Sequence, residues 1–198
     1  MARLEPLSRE ELREFEPFFQ GLEQSMGFVP NSVRTMAHRP ELLRAFGAFA
    51  AGVLGEGAID PELKQLVAFV ASRAAGCRYC QAHTAHSAHR AGANSERIAA
   101  AFDFETSPLF SESERAALRL ANAAALSPSA AEESHFSALA LHFSPAEIVE
   151  IMGVIAFFGF LNRWNDALAT TLEEEPLAFA RAQLEPRGWS AGAHAEKE

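Results

Sequence analysis

Residues 60–92 read DPELKQLVAFVASRAAGCRYCQAHTAHSAHRAG, and this stretch decides the fold. Residues 60–62 combine an N-cap aspartate, a first-turn proline and an acidic residue, which is typical of a helix start. Apolar residues at three- and four-residue spacing follow over residues 63–70. Gly76 interrupts this helix, and a second one is predicted from about Cys77 to Arg90, ending at a glycine. The stretch therefore predicts two consecutive helices.

Helix-start signals recur along the rest of the chain, whereas alternating strand patterns do not. Capping boxes begin at Ser8 and Ser111, and a further helix start lies at Ser144. We expect one all-α domain over residues 1–198, a helical bundle with roughly eight to ten helices. The N-terminal ~40 residues are expected to form an additional helical arm, and the tail at 188–198 is expected to fray.

Charge and hydropathy narrow the range of partners. Seventeen basic residues stand against twenty-six acidic ones, a formal charge of −9, and no basic stripe is visible. Nucleic acid and anionic membrane surfaces are therefore not expected as partners. The N-terminus does not resemble a signal peptide, which predicts a cytoplasmic protein. The apolar run at 148–161 is interrupted by a glutamate and favours a core or subunit-interface helix over a membrane span.

Cys77 and Cys80 are the only two cysteines of the chain, and two residues separate them. That spacing lets two thiols close a disulfide across the first turn of a helix, which gives a reversible two-electron switch. In a reducing compartment a close cysteine pair is more often catalytic or metal-bound than structural. The pair predicts redox chemistry at this point of the chain.

The helical periodicity places a histidine beside this pair. At about 100° per residue, Cys77 and Cys80 share one face, and His83 is an i, i+3 neighbour of Cys80. His86 is displaced by a further step, and His89 lies nearly opposite and is expected to face solvent. Cys77 at the helix start is favoured as a thiolate by the free N–H groups, whereas Cys80 needs a base such as His83.

Two other interpretations of this segment remain. Cys77, Cys80, His83 and His86 are all of metal-ligand type, but four ligands at three-residue steps spiral around one helix, unlike the usual zinc arrangement. The second interpretation is that the two thiols are buried and serve only packing. No metal, flavin or nicotinamide site is predicted, because the chain has no glycine-rich dinucleotide loop and no cluster of histidines with carboxylates.

Three stretches resemble the carboxymuconolactone decarboxylase family, in its alkylhydroperoxidase D-like, peroxidase-related branch. They are LKQLV at 63–67 with SRAAGCRYCQAHTAH at 72–86, FLNRWNDALAT at 160–170, and Leu172–Glu173 with the residues up to Trp189. The resemblance implies an all-helical subunit in trimers, hexamers or dimers, with thiol peroxidase or disulfide reductase activity. It also implies that the second cysteine, Cys80, attacks the peroxide and that Cys77 resolves the product as a disulfide.

The proton relay implied by the family is not intact in this sequence. The family has a glutamate twelve residues before the first cysteine, where this chain has Gln65, and a histidine four residues after the second, where it has Thr84. Gln65 forms hydrogen bonds but takes no proton at neutral pH. Glu62 is the nearest carboxylate in sequence and is the candidate substitute for it. The family pattern and the helix-dipole argument also disagree over which cysteine is more acidic.

Two further segments have alternative interpretations. Polar residues at 162–166 either line the dithiol cavity or a subunit contact, or serve a helix junction. The acidic run at 173–175 is expected to be a solvated helix end.

We expect a thiol oxidoreductase that reduces a hydroperoxide or a partner disulfide and takes its electrons from an external dithiol. The predicted site residues are Cys77, Cys80, His83, His86 and Gln65. A lactone decarboxylase-like enzyme that does not use the cysteines is one alternative. A redox-sensing assembly protein with little turnover is the other. Self-association is expected from both the apolar 148–161 run and the resemblance.

Overall fold

A computed structural model describes residues 2–195 of the chain, and helices joined by short loops account for its regular structure. Within these residues there is no strand, so the predicted all-α fold is confirmed. The α-helices are α1 (Glu16–Met26), α2 (Asn31–Met36), α3 (Pro40–Leu54), α4 (Pro61–Ala74), α5 (Arg78–Arg90), α6 (Ser95–Ala100), α7 (Glu112–Ala124), α8 (Glu133–Ala140), α9 (Pro145–Leu168) and α10 (Glu174–Gln183). Short 3-10 segments occupy Arg9–Phe15, Ala101–Asp103, Glu185–Arg187 and Gly192–His194.

Helix α4 is the centre of the bundle and contacts α5, α7 and α9. It can lie there because its side chains are apolar nearly all round: Leu66, Phe69 and Val70 are almost completely buried. Gly76 follows α4 with φ of 80°, a left-handed conformation that favours glycine, and turns the chain into α5. The two predicted helices of residues 60–92 therefore pack side by side.

One buried ion pair fixes the loop between α3 and α4. The Lys64 Nζ lies 2.5 Å from the Glu150 Oε1 on α9, and the same ammonium group donates to the carbonyls of Val53 and Gly55. Only 4% of the Lys64 side chain is exposed. A buried ammonium group is tolerated when its donors are paired in this way. The pair therefore joins three segments at one end of the bundle.

Of the segment predicted as an arm, residues 9–26 and 31–36 are helical, and they contribute to the common core. Phe19 of α1 and Met36 of α2 are almost fully buried. The backbone N–H of Asn31 and its side chain both bond to residues between α9 and α10. This segment forms one wall of the cavity described below.

The tail predicted to fray from residue 188 is ordered over 188–195, and the remaining residues lie outside the described part. Trp189 and His194 are 3% and 2% exposed. The Trp189 indole donates to the Arg78 carbonyl, and the backbone of Leu172 donates to that of His194. The prediction was wrong because the glycine- and alanine-rich composition hides two aromatic side chains that bury against the body.

Helix α9 is buried on one side and carries an apolar stripe on the other. Val154 and Phe157 face the core, while Val149 and Phe160 are exposed. By length and composition α9 resembles a membrane span, and 33% of its most apolar window is buried within the bundle. Phe49 of α3 is exposed as well, and its ring packs edge-on against that of Phe157. The stripe and Phe49 form an exposed apolar face, which we call the α3–α9 face.

Candidate active site

The two cysteines lie at the start of α5, with Cys77 as the N-cap residue. The Cys77 Sγ accepts a hydrogen bond from the Cys80 N–H at 3.4 Å, so this sulfur takes the place of the usual capping oxygen. Both side chains are free thiols, 0% and 2% exposed. The helix begins at the cysteine pair, as the sequence predicts, and the two cysteines lie within its first turn.

The surroundings of the two sulfurs give them opposite acidities. Hydrogen bonding from the Cys80 side chain, and then from the N–H groups of Cys80 and Tyr79, lowers the pKa of Cys77 despite its burial. Burial, followed by the interaction with Cys77, raises the pKa of Cys80 well above its ordinary value. In the reduced pair Cys77 is therefore the more acidic thiol, as the helix-start argument expects.

Cys80, and not Cys77, lines an apolar cavity of the bundle. The cavity has a volume of about 480 Å³. Its wall is mostly apolar and comes from six helices: it includes Phe18 and Leu22 of α1, Val33 of α2, Phe46 and Leu54 of α3, Gln65 of α4, Cys80, His83 and Thr84 of α5, and Phe157, Leu161 and Asn165 of α9. Cys77 lies behind Cys80, so a molecule in the cavity meets the Cys80 sulfur first.

Asn165 of α9 is the polar side chain that touches the Cys80 sulfur. Its Nδ2 donates to the Cys80 Sγ at 3.4 Å, and only 1% of the residue is exposed. Its Oδ1 is buried without a hydrogen-bond partner among the described residues. Of the two interpretations of residues 162–166, the cavity-lining one applies to Asn165. Asn162 is also buried, but it is not part of the cavity wall.

His83 is held by the carboxylate of Glu173, which is buried although its acidic run predicts a solvated residue. The His83 Nε2 lies 2.5 Å from the Glu173 Oε2, and the Tyr79 hydroxyl donates to the Glu173 Oε1 at 2.8 Å. The Asn31 N–H also donates to this carboxylate. Burial opposes the charge on Glu173, but His83 and these donors outweigh it and lower the pKa of the carboxyl group. The interpretation of Glu173 as solvated was wrong, because α10 folds back over α5.

The hydrogen bond to Glu173 has a chemical consequence for His83. An ionised carboxylate only accepts hydrogen bonds, so the His83 Nε2 carries a proton. When the ring is neutral, Nδ1 is then its proton-accepting nitrogen. The ring also stacks on Tyr79 with centroids 4.2 Å apart, which fixes its plane. His83 is thus a positioned acid or base in the cavity wall.

The other predicted residues have different positions. Gln65, which stands where the family has a glutamate, lies in the cavity wall with an uncharged amide. His86 does not line the cavity; it lies between Phe28 and Phe179, and burial lowers its pKa. Glu62, the expected substitute carboxylate, instead pairs with Arg97 and is not part of the cavity wall. His89 is exposed, as expected.

Sequence reasoning missed Glu173 and left Asn165 undecided. Nothing near the cysteines in sequence points to either residue, since 93 positions separate Cys80 from Glu173 and 85 separate it from Asn165. The available signal was the position of Glu173 directly after an apolar residue and before a helix that carries Pro176. A carboxylate at an N-cap between buried residues is a candidate for a long-range partner.

The fold and the site together define an all-helical protein with a buried CxxC pair, of the alkylhydroperoxidase D-like type. A family model described as the carboxymuconolactone decarboxylase family matches residues 40–123. The chain belongs to this family, as its residues indicate. The family and its relatives indicate an enzyme.

Several known proteins are similar to this chain. The crystal structure of the debrominase Bmp8 is 41% identical with a TM-score of 0.85, and the match covers 90% of this chain and 96% of Bmp8. A cysteine-to-alanine variant of Bmp8 in complex with 2,3,4-tribromopyrrole is 40% identical with a TM-score of 0.86, over the same shares of the two chains.

Two further relatives are similar to this chain at lower sequence identity. An uncharacterized peroxidase-related protein from Ralstonia eutropha JMP134, described as an alkylhydroperoxidase AhpD core, is 23% identical with a TM-score of 0.73. That match covers 85% of this chain and 88% of the relative, and it shows the shared fold. The uncharacterized protein YnjA of Escherichia coli (strain K12) is 29% identical over 110 residues. This match spans 56% of the chain and 60% of the curated relative.

Proposed function

We propose that this protein is a thiol-dependent oxidoreductase that reduces a small apolar substrate, first of all an organic hydroperoxide, by two electrons. Cys80 is the attacking residue and Cys77 the resolving one. The observation that carries the proposal is the position of the Cys80 sulfur in the wall of an apolar cavity, with the more acidic Cys77 directly behind it. An apolar cavity with a few convergent polar groups is the usual form of a small-molecule site.

The chemistry proceeds in two balanced steps. The Cys80 thiolate attacks the terminal oxygen of the hydroperoxide, the O–O bond breaks, and Cys80 becomes a sulfenic acid while the alkoxide takes up a proton. Cys77, which has taken up the Cys80 proton, then attacks the Cys80 sulfur. The disulfide forms, and the proton leaves with the hydroxide as water. Two thiols and one hydroperoxide thus give one disulfide, an alcohol and water. An external dithiol reduces the disulfide by exchange.

Acidity and access assign different tasks to the two cysteines. Cys77 is the more acidic thiol but is shielded, whereas Cys80 reaches the substrate but is held protonated by burial. The Cys80 thiol must therefore lose its proton as it attacks, and its hydrogen bond to the Cys77 thiolate provides a direct route. This route does not need a carboxylate at position 65. The arrangement supports Cys80 as nucleophile and Cys77 as its first proton acceptor.

When both ring nitrogens carry a proton, His83 donates the Nδ1 proton to the leaving alkoxide. It lines the cavity, and Glu173 keeps a proton on its Nε2 and orients the ring. General acid catalysis of this kind contributes about 10²–10⁴-fold in rate. We assign His83 as the proton donor and Glu173 as its positioning residue. His86 is not given a part in this mechanism.

Thiol counting after a single oxidant pulse tests the proposal. The reduced protein receives one equivalent of cumene hydroperoxide, and free thiols are titrated in the wild type, Cys80→Ser and Cys77→Ser. We expect the wild type to lose two thiols, Cys77→Ser to lose one as a trapped sulfenic acid, and Cys80→Ser to react far more slowly. Equal oxidant consumption by Cys80→Ser and the wild type would contradict the proposal.

A second candidate substrate class is the brominated heteroaromatic compounds. The observation in its favour is the 41% identity with the debrominase Bmp8 over 90% of the chain. The same sulfur pair performs this reaction if the Cys80 thiolate takes bromine from carbon and the ring carbon is protonated. Cys77 then displaces bromide as the disulfide forms. Two thiols and one C–Br bond give a disulfide, a C–H bond, bromide and a proton.

Product analysis separates the two substrate classes. The reduced protein is supplied with a dithiol such as dithiothreitol and either cumene hydroperoxide or 2,3,4-tribromopyrrole. Cumyl alcohol or released bromide is then measured, with Cys80→Ser as control for uncatalysed reaction. Turnover of one compound only assigns the class. Full turnover by a Cys77→Ser/Cys80→Ser variant would instead favour a decarboxylase-like reaction, and oxidation without turnover would favour a redox sensor.

The proposal includes self-association and a reducing location. The α3–α9 face exposes the large apolar side chains Phe49, Val149 and Phe160, which supports a homo-oligomer. Light scattering of the wild type and Phe160→Glu tests this: the variant should have the lower mass. A reducing compartment such as the cytoplasm would supply the external dithiol.

A further inference from the structure

The amide of Asn165 is only half used in the structure. Its Nδ2 donates to the Cys80 sulfur, while its Oδ1 is buried and has no partner among the described residues. A buried acceptor that is left unpaired costs free energy, so native proteins rarely keep one without a use. The same residue is part of the cavity wall. The side chain that carries this acceptor therefore lies beside the space that a substrate would occupy.

The position of this acceptor beside the nucleophile limits what can satisfy it. One planar amide presents its nitrogen to the Cys80 Sγ and its oxygen to a neighbouring point only about 2.3 Å from that nitrogen. A group that donates to Oδ1 is thus held next to the attacking sulfur. The ring of Phe157, which also lines the cavity, offers such a molecule apolar contact but no hydrogen bond.

We propose that Asn165 is a positioning and specificity residue that selects substrates with a polar hydrogen beside the reacting atom. The terminal O–H of a hydroperoxide meets this requirement, and so does the ring N–H of a brominated pyrrole. In each case the hydrogen bond to Oδ1 brings the atom to be attacked toward the sulfur that Nδ2 holds. This inference rests on the proposed function and names the feature that its substrates share.

The selection works by leaving the acceptor unpaired when the polar hydrogen is absent. A site built to bond an O–H or N–H group rejects analogues that lack it, because the buried acceptor is then desolvated without a partner. Methylation of the donor also places a methyl group against the amide oxygen. A preference for the ligand with the O–H or N–H donor is therefore expected both for hydroperoxides and for brominated heteroaromatic compounds.

Binding to the full-length Cys80→Ser variant, which cannot turn over, tests the inference. Two matched ligand pairs are used: cumyl alcohol with cumyl methyl ether, and 2,3,4-tribromopyrrole with its N-methyl derivative. In whichever ligand pair binds, we expect the member with the O–H or N–H donor to bind at least about tenfold more tightly than its methylated partner. Asn165→Leu should reduce this ratio to near one. Asn165→Asp, which keeps an oxygen acceptor but loses the donor to position 80, should preserve it.

The ratio separates positioning from a structural role, because a general loss of packing would weaken both members alike. Circular dichroism and thermal unfolding establish that each variant folds. If no pair shows a preference for the donor, or if the preference persists in Asn165→Leu, the inference is overturned. Should Asn165→Leu not fold, loss of the preference in Asn165→Asp would overturn it as well.

Failure of the proposed function would give a different result. In that case the reduced wild type would lose no thiols to either oxidant, whatever the binding ratios. A kinetic measurement uses Asn165→Asp in a protein that retains Cys80. This variant should slow the alkylation of Cys80 by iodoacetamide, while the ratio of affinities within each ligand pair is kept. The alkylation rate reports on the Nδ2 group that bonds to Cys80, and the affinity ratio reports on the Oδ1 acceptor.

Discussion

Replacing Glu173 tests whether a buried carboxylate holds the His83 ring in place. In the structure this carboxylate accepts from the Asn31 N–H and the Tyr79 hydroxyl and pairs with His83. Glu173→Ala leaves all three donors without their acceptor. Removing one partner of a buried pair costs about 3–5 kcal/mol, and we expect this loss at pH 7. Glu173→Gln keeps oxygen and amide contacts but no charge, so about 1–2 kcal/mol is expected.

The same carboxylate makes the effect depend on pH. The pKa of Glu173 is lowered in the folded protein from an ordinary value of 4.5, so the unfolded chain binds more protons. The stabilisation is fully present above about pH 4.5 and is lost as the pH falls through the lower, folded pKa. The gap in unfolding free energy between wild type and Glu173→Gln should therefore shrink in acid.

Urea unfolding at pH 7 and at several points below pH 4.5 measures this gap. The matched control is Glu174→Gln, because Glu174 is the adjacent exposed carboxylate in the same helix turn. It should change the unfolding free energy by less than about 0.5 kcal/mol at either pH. A gap between wild type and Glu173→Gln that stays constant with pH would refute the ionised pair. Activity should fall with Glu173→Gln but not with Glu174→Gln.

Three further predictions concern the scaffold and the relay. Tyr79→Phe removes one hydrogen-bond donor to Glu173, so it should raise the pH at which half of the protein is unfolded by acid. Circular dichroism measures this midpoint. Glu150→Ala leaves the buried Lys64 ammonium without its carboxylate and should cost about 2–4 kcal/mol in a urea titration, with exposed Glu174→Ala as the comparison. Ser144→Ala removes the side-chain cap of α9 and should cost about 1 kcal/mol, whereas Ser144→Asp, which keeps a capping oxygen, should cost less in the same titration.

The helices were predictable because their signals are local. Caps and prolines at Asp60–Pro61, Ser111 and Ser144 mark helix starts that the structure reproduces, and Gly76 marks the turn before the cysteine pair. The placement of Cys77 at the N-cap follows from the same signals. A capping residue acts within one turn, so a sequence window contains the whole cause.

The proton relay was not predictable in this way, because it depends on packing between distant helices. Glu173 is an acidic residue in an acidic run, and only the docking of α10 on α5 buries it. Glu62 has the better sequence position but pairs with Arg97 instead. The burial of Trp189 likewise depends on the tertiary contact with Arg78. Sequence composition indicates only the average environment of a residue type, and Glu173 and Trp189 have environments that differ from this average.

The contact between Trp189 and α5 gives the protein an intrinsic optical reporter. Its indole donates at 3.3 Å to the carbonyl of Arg78, the residue that follows Cys77. Closing the disulfide would tighten the turn that carries this carbonyl, so the emission of Trp189 should change with the redox state. The chain has only one other tryptophan, Trp164, and a Trp164→Phe variant would leave a single fluorophore. Oxidation and recovery could then be followed in real time without a label.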